Sequence, residues 1–158
     1  MSAKQPSLTP CCAVPKSGRM ETFFMFGSLM DIDILSAVLG RDVPTGTLKA
    51  ARAMDFKRLR ISGVSYPALV AHPGSVADGV LVDELTPRDV ARLADYEGAN
   101  YDVASLRAIR LDGRNVDAKY WRWIGKRKLV DEPWDFDEWR RTAKSKMLGA
   151  AKAVGRAT

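Results

Sequence analysis

The chain has 158 residues, 25 of them Lys or Arg, 19 Asp or Glu and one His, for a formal net charge of +6. That length and a hydrophobic fraction of 46% suit a single globular domain with a sizeable core. No stretch reaches the ~18 apolar residues of a membrane span, which points away from a membrane partner, and two adjacent cysteines give neither a disulfide framework nor a thiolate metal site.

Residues 1–19 carry Lys4, Lys16 and Arg19 among Pro6, Pro10 and Pro15. They lack the apolar centre of a signal peptide and read as a disordered extension, with Met20 as an alternative start. This, with the cysteine usage, fits a reducing cytoplasm. The charge is uneven. Residues 1–118 hold 14 basic and 14 acidic side chains, whereas residues 119–158 hold 11 and 5. The excess basicity therefore belongs to the C-terminal region, and the rest of the chain carries no net charge that would call for a polyanion.

Glu21 to Phe26 is a nearly continuous apolar run of aromatic character, the pattern of a buried strand, and Gly27-Ser28 stops it. Asp31 or Asp33 then caps a helix whose apolar positions Ile34, Leu35, Val38 and Leu39 recur at three and four, ending at Gly40. Residues 43–50 read as a turn into a strand, and residues 51–62 as a strand. Tyr66-Pro67-Ala68-Leu69 is extended before its proline and strand-like after it. His72-Pro73-Gly74-Ser75 reads as a turn, and residues 78–85 as a further strand.

Thr86-Pro87 signals a helix start, with Thr86 as N-cap and Asp89 in the first turn. Val90, Leu93 and Ala94 give its apolar face, and it runs to Tyr96 or Glu97. Residues 101–111 and 116–124 read as two strands joined by a turn at Gly113. Trp134 to Arg141 resembles a helix start capped by Asp135. The remainder prolongs a helix that frays into Ala, Gly and Lys. Strands with two interposed helices and a hairpin make a mixed α+β fold around a small curved or barrel-like sheet.

Two segments carry chemistry. Glycine at position 27 lets a ligand approach the backbone, and the amides after a strand end can bind a carboxylate or an oxyanion. Glu97 closes a helix, where the negative end of the macrodipole disfavours a carboxylate. That field, together with burial between Tyr96 and Tyr101, raises its pKa and makes it a better general base. Taken singly, each has a plain structural reading: a turn leading into a helix, and a solvated Glu before a C-capping Gly98. His72 is the only histidine, so neither a His-rich metal site nor a histidine-activated Ser28 is indicated.

Together the segments resemble the γ-glutamylcyclotransferase-like family, which includes the avirulence-induced-gene-like proteins. The resemblance rests on Phe26-Gly27-Ser28-Leu29 after the first strand, Tyr66-Pro67-Ala68-Leu69, Gly79-Val80-Leu81, Leu93-Ala94-Asp95-Tyr96-Glu97-Gly98, Tyr101, and Tyr120-Trp121-Arg122-Trp123. It covers residues 21–124.

It implies a small β-barrel flanked by helices, a cytoplasmic acyltransferase, and conversion of a γ-glutamyl compound into 5-oxoproline and a free amine without cofactor or metal. Carried over, Gly27, Ser28 and Leu29 bind the glutamyl moiety through backbone groups and Glu97 is the general acid/base. Tyr66 and Tyr101 are expected to line the cavity with Phe26, which replaces the family's commoner tyrosine and so lacks its hydroxyl. The alternative is a small-molecule-binding or regulatory member that keeps the fold without the reaction.

These readings divide the chain into the 1–19 extension, a domain over residues 20–125 and a basic helical extension over 126–158. Lys126-Arg127-Lys128 with Trp121, Trp123 and Trp134 has the composition of a single-stranded nucleic-acid patch. Such residues more often form a solvated face over a packed aromatic hinge. The expected role of the extension is an amphipathic helix docked on the barrel or on a second subunit as a homodimer.

Overall fold

The computed structural model describes residues 19–157. What was expected of residues 1–18, Cys11 and Cys12 among them, lies outside the described residues. Strand β1 (Glu21–Met25) sorts its side chains by the two-residue period of a pleated strand. Phe23 and Met25 join one buried cluster, and Phe24 and Phe26 join another. Fully burying a side chain of this size contributes about 2 kcal/mol, so β1 anchors both cores.

The second cluster is the interior of a closed five-stranded barrel. Strand β1 pairs antiparallel with β3 (Pro67–Leu85) and parallel with β5 (Asn115–Trp123). Strand β4 (Tyr101–Arg110) lies between β5 and β2 (Leu48–Ile61), and β2 pairs with β3 to complete the ring. Strand β6 (Leu129–Val130) extends the sheet at the far end of β2. Gly79 sits where β3 crosses β1, and a Cβ there would run into the Met25 carbonyl oxygen and the Phe24 ring.

The helices cover the outside. Helix α1 (Ile32–Leu39) is capped by Asp31, whose carboxylate accepts from the N–H groups of Asp33 and Ile34, and it ends at Gly40 in the left-handed region (φ 69°). Helix α2 (Pro87–Glu97) starts with a capping box between Thr86 and Asp89. Its Leu93 is buried, whereas Ala94, expected on the apolar face, is exposed because Val90, Leu93 and Tyr96 fill the contact. Helix α3 (Phe136–Thr142) is capped by Asp135, and α4 (Lys144–Arg156) follows it. No helix of the described residues is long and apolar enough to cross a membrane.

Two further expectations change. Residues 72–75 do not separate two strands. They bulge within β3 opposite Asp55, between the pairs Met54↔Val76 and Phe56↔Ala71, and the Gly74 N–H donates to Asp55 Oδ1 at 2.9 Å. The C-terminal stretch does not fray. Its small residues form a packing face: Ala151 is fully buried, and Gly155 lies so close to Ala37 of α1 that a Cβ would overlap the Ala37 carbonyl oxygen. Lys144 Nζ fixes the start of α4 by pairing with Asp31 at 3.0 Å and Asp33 at 2.7 Å. Trp121, Trp134 and Trp139 are buried in the same outer core, so their faces are not displayed for stacking.

Candidate active site

At the end of β1 the chain leaves its pairing with β3 and turns through Gly27 into a short helical turn, Ser28–Met30. Met30 N–H donates to the Gly27 carbonyl and Asp31 N–H to the Ser28 carbonyl, each at 3.0 Å. The leading N–H groups of such a turn have no preceding carbonyl to bond and remain available to a ligand. Gly27 is packed against β3, where a Cβ would lie 3.0 Å from Cδ of Pro67.

The last turn of α2 brings two side chains to this loop. Tyr96 shares a hydrogen bond with Ser28, the two hydroxyl oxygens 2.8 Å apart. Glu97 is the final helical residue. Gly98 stops the helix with φ 80°, its N–H bonded to the Ala94 carbonyl. Glu97 keeps part of its residue surface accessible, but its carboxyl lies deep, and burial pushes its pKa up from 4.5 to about 8. The burial of the carboxyl governs its titration, because backbone and stem exposure do not hydrate the oxygens. Burial raises the Tyr96 phenol as well, against the opposing effect of the Ser28 bond, and burial followed by the charge of Glu97 raises that of Tyr101. Both tyrosines therefore stay neutral.

The opposite wall is aromatic. Tyr101 opens β4 and donates from its hydroxyl to the Pro67 carbonyl at 3.0 Å. Its ring centroid lies 5.3 Å from that of Trp123 and 6.2 Å from that of Tyr66. These surfaces line a cleft of about 120 Å³. It brings together Phe26, Gly27, Ser28, Leu29, Tyr66, Glu97 and Tyr101, the residues singled out in the sequence. Phe26 is buried against the Tyr120 ring in the barrel interior as well as facing the cleft. Trp121 serves both cleft and core, stacked on Phe23 at 5.3 Å.

Three contributors escaped sequence reasoning. Tyr96 was visible only as a neighbour of Glu97, and its bond to Ser28 spans 68 positions. Pro67 supplies a carbonyl, which no side-chain pattern reports. Met147 reaches the cleft from α4, and nothing in the local sequence links that helix to residues 27–29. His72, by contrast, bonds Ser75 in the exposed bulge at 2.8 Å, apart from the cleft.

Chemically, the cleft combines a backbone turn, of a kind able to hold an anion, with a carboxyl poised to exchange a proton near neutral pH. The Ser28 hydroxyl is engaged by a neutral phenol.

Residues 23–141 match the family model described as gamma-glutamyl cyclotransferase, AIG2-like. AIG2-like protein A of Arabidopsis thaliana is 27% identical over 139 residues, covering 86% of this chain and 82% of that protein. AIG2-like protein D of the same plant is 27% identical over 128 residues, covering 77% and 80%. A solution structure of an Arabidopsis thaliana protein superposes with a TM-score of 0.62 at 25% identity, covering 87% of this chain and 92% of that one. A solved protein described as gamma-glutamyl cyclotransferase gives a TM-score of 0.59 over 85% and 87% of the two chains. At 13% identity that last likeness speaks to the fold alone.

Proposed function

The chain belongs to the gamma-glutamyl cyclotransferase, AIG2-like family, and from that premise we propose that it cyclises a γ-glutamyl substrate to 5-oxoproline with release of an amine. The observation that carries this reading is that the buried Glu97 carboxyl and the backbone turn at residues 27–29 line one cleft.

Glu97, ionised, takes a proton from the α-ammonium of the glutamyl unit. The freed amine attacks the γ-carbonyl carbon of the same unit, and the turn amides hold the developing oxyanion. The carbon–nitrogen bond to the leaving amine breaks as Glu97 returns a proton to that nitrogen. Overall the α-nitrogen loses two protons and the leaving nitrogen gains two, so the products are a lactam and an ammonium ion. Nucleophile and electrophile belong to one molecule, so the site needs mainly to fold the chain and move protons. The α-ammonium of the glutamyl unit, brought beside the carboxyl, also draws Glu97 toward its ionised form on binding, because an opposite charge nearby favours the carboxylate.

The test is release of 5-oxoproline from γ-glutamyl amines and peptides by the full chain, with Glu97→Gln as control. Turnover is expected from the natural sequence and none above background from the variant. Undiminished release by Glu97→Gln would remove the assignment. Tight substrate binding without release in the natural sequence would identify a binding member of the fold.

A further inference from the structure

The Glu97 cleft has no cation of its own: among the described residues that line it, none is Lys, Arg or His. The cyclisation proposed above starts with Glu97 ionised and then places an oxyanion on the 28–29 turn. A second carboxylate stands at the end of that turn. Asp31 is 4% exposed, and its own N–H closes the turn on the Ser28 carbonyl. Its charge is felt in the cleft. After burial, and against the Ser28 bond, the charges of Glu97 and Asp31 add to what keeps the Tyr96 phenol neutral.

A buried carboxylate beside a developing oxyanion opposes it unless a cation is held close. The two oxygens of Asp31 have different partners. Oδ1 accepts from the N–H groups of Asp33 and Ile34 at the start of α1, at 2.9 and 3.2 Å. Oδ2 meets the Lys144 ammonium at 3.0 Å. Asp33 shares that ammonium at 2.7 Å, but its side chain is 61% exposed, so its charge is largely screened by water. Lys144 is the first residue of α4. Three residues on, Met147 lines the cleft, its Sδ accepting from Trp139 Nε1 at 3.3 Å and from Ser65 Oγ at 3.7 Å. The first turn of α4 is thus held against the site at both positions.

Resting on that reaction, we infer that Lys144 is a positioning residue of the site: acting through Asp31, it cancels the buried charge at the end of the 28–29 turn and so lets the turn amides hold an oxyanion. The C-terminal helix thereby supplies the positive charge that the lining of the cleft lacks.

Charge compensation is separated from helix docking by Lys144→Met and Lys144→Arg, with Lys144→Met repeated in an Asp31→Asn background. Asn at position 31 keeps a side-chain oxygen to cap α1. The parameters kcat and KM are measured by 5-oxoproline release from a γ-glutamyl alkylamide, with thermal melting alongside. Lys144→Met should lower kcat about tenfold with KM within about twofold, because the oxyanion exists only in the transition state. Lys144→Arg should restore the natural kcat. In the Asp31→Asn background, Lys144→Met should cost less than about twofold, since no charge is left to cancel. Lys144→Gln, which keeps a donor for Asp31 without the charge, carries the same expectation as Lys144→Met and stands in for it if that variant does not fold. Equal losses of kcat in the two backgrounds would reduce Lys144 to helix docking and overturn the inference, as would a lower melting temperature with unchanged kcat. Either result, obtained with turnover in the natural sequence, leaves the cyclisation standing. No 5-oxoproline from the natural sequence sinks the cyclisation and this inference with it.

Discussion

The two walls of the cleft differ in how they are made. The wall formed by the 27–29 loop and the end of α2 is short-range in construction. A strand end, a glycine, a helical turn and a C-capped helix each fix their own geometry, and one hydrogen bond between Ser28 and Tyr96 joins them. The wall formed by Tyr66 and Met147 is assembled at long range. It depends on α4 docking across α1 through Gly155 and Lys144, and on two weak contacts to a thioether. The first wall is buried, so a titrating group there is strongly perturbed. The second is open, and its charges are solvated. Fixed dipoles act strongly only where water is excluded, so the first kind of wall is the one suited to chemistry.

Breaking the first wall has the largest expected effect. Glu97→Gln should lower turnover by about 10³-fold, the scale of general acid–base catalysis. In the natural sequence kcat/KM should rise with pH along a limb set by the free carboxyl, near pH 8, and that limb should vanish in the variant. A limb near the ordinary carboxylate range would mean that Glu97 is hydrated and the wall is not closed.

Next in size is Gly79→Ala, which thrusts a methyl group into β1 just before the loop. Overpacking of this kind should cost about 3 kcal/mol and lower the melting temperature by roughly 10 °C. Because β1 carries the loop, activity should fall with stability. An unchanged melting temperature would show that β1 and β3 can separate locally.

The titration of Glu97 also predicts a stability change of definite sign. Its folded pKa is raised, so between pH 4.5 and about 8 the native state holds a proton that the unfolded chain has lost. Stability from this group is therefore complete below that window and falls as pH rises through it. Glu97→Gln lacks the titration, so its melting temperature should exceed that of the natural sequence at pH 9, with the gap closing at pH 4. A pH-independent difference would rule out a buried ionisable carboxyl.

The smallest effect is expected from Tyr96→Phe. It removes the phenol bonded to Ser28 at 2.8 Å and should cost about 1 kcal/mol, seen as a several-fold loss in kcat/KM at constant fold. No loss would mean that the loop holds its position through Gly27 and Pro67 alone.

Much of the first wall was legible because its signals are local. Thr86-Pro87 with Asp89 marks a helix start, Gly98 marks its end, and an aromatic run into Gly27-Ser28 marks a strand that stops. Each is a backbone preference of the residue itself. The 72–75 bulge was misread because the same Pro-Gly signal suits a turn between strands and a bulge within one, and only pairing with β2 decides between them. The end of α4 was misread for a related reason. Ala and Gly look like a weakening helix in isolation, yet they are what lets a backbone approach α1 closely.

The sequence by itself determined the strand and helix types, the caps, and the two segments from which the chemistry could be built, since these rest on dihedral preference and hydrophobic period. Only the tertiary structure decided that burial is what raises the Glu97 pKa, that Tyr96 holds Ser28, and that Met147 reaches the cleft from α4. Desolvation, and contacts between positions 50 to 120 residues apart, are properties of the packed chain and have no local signature.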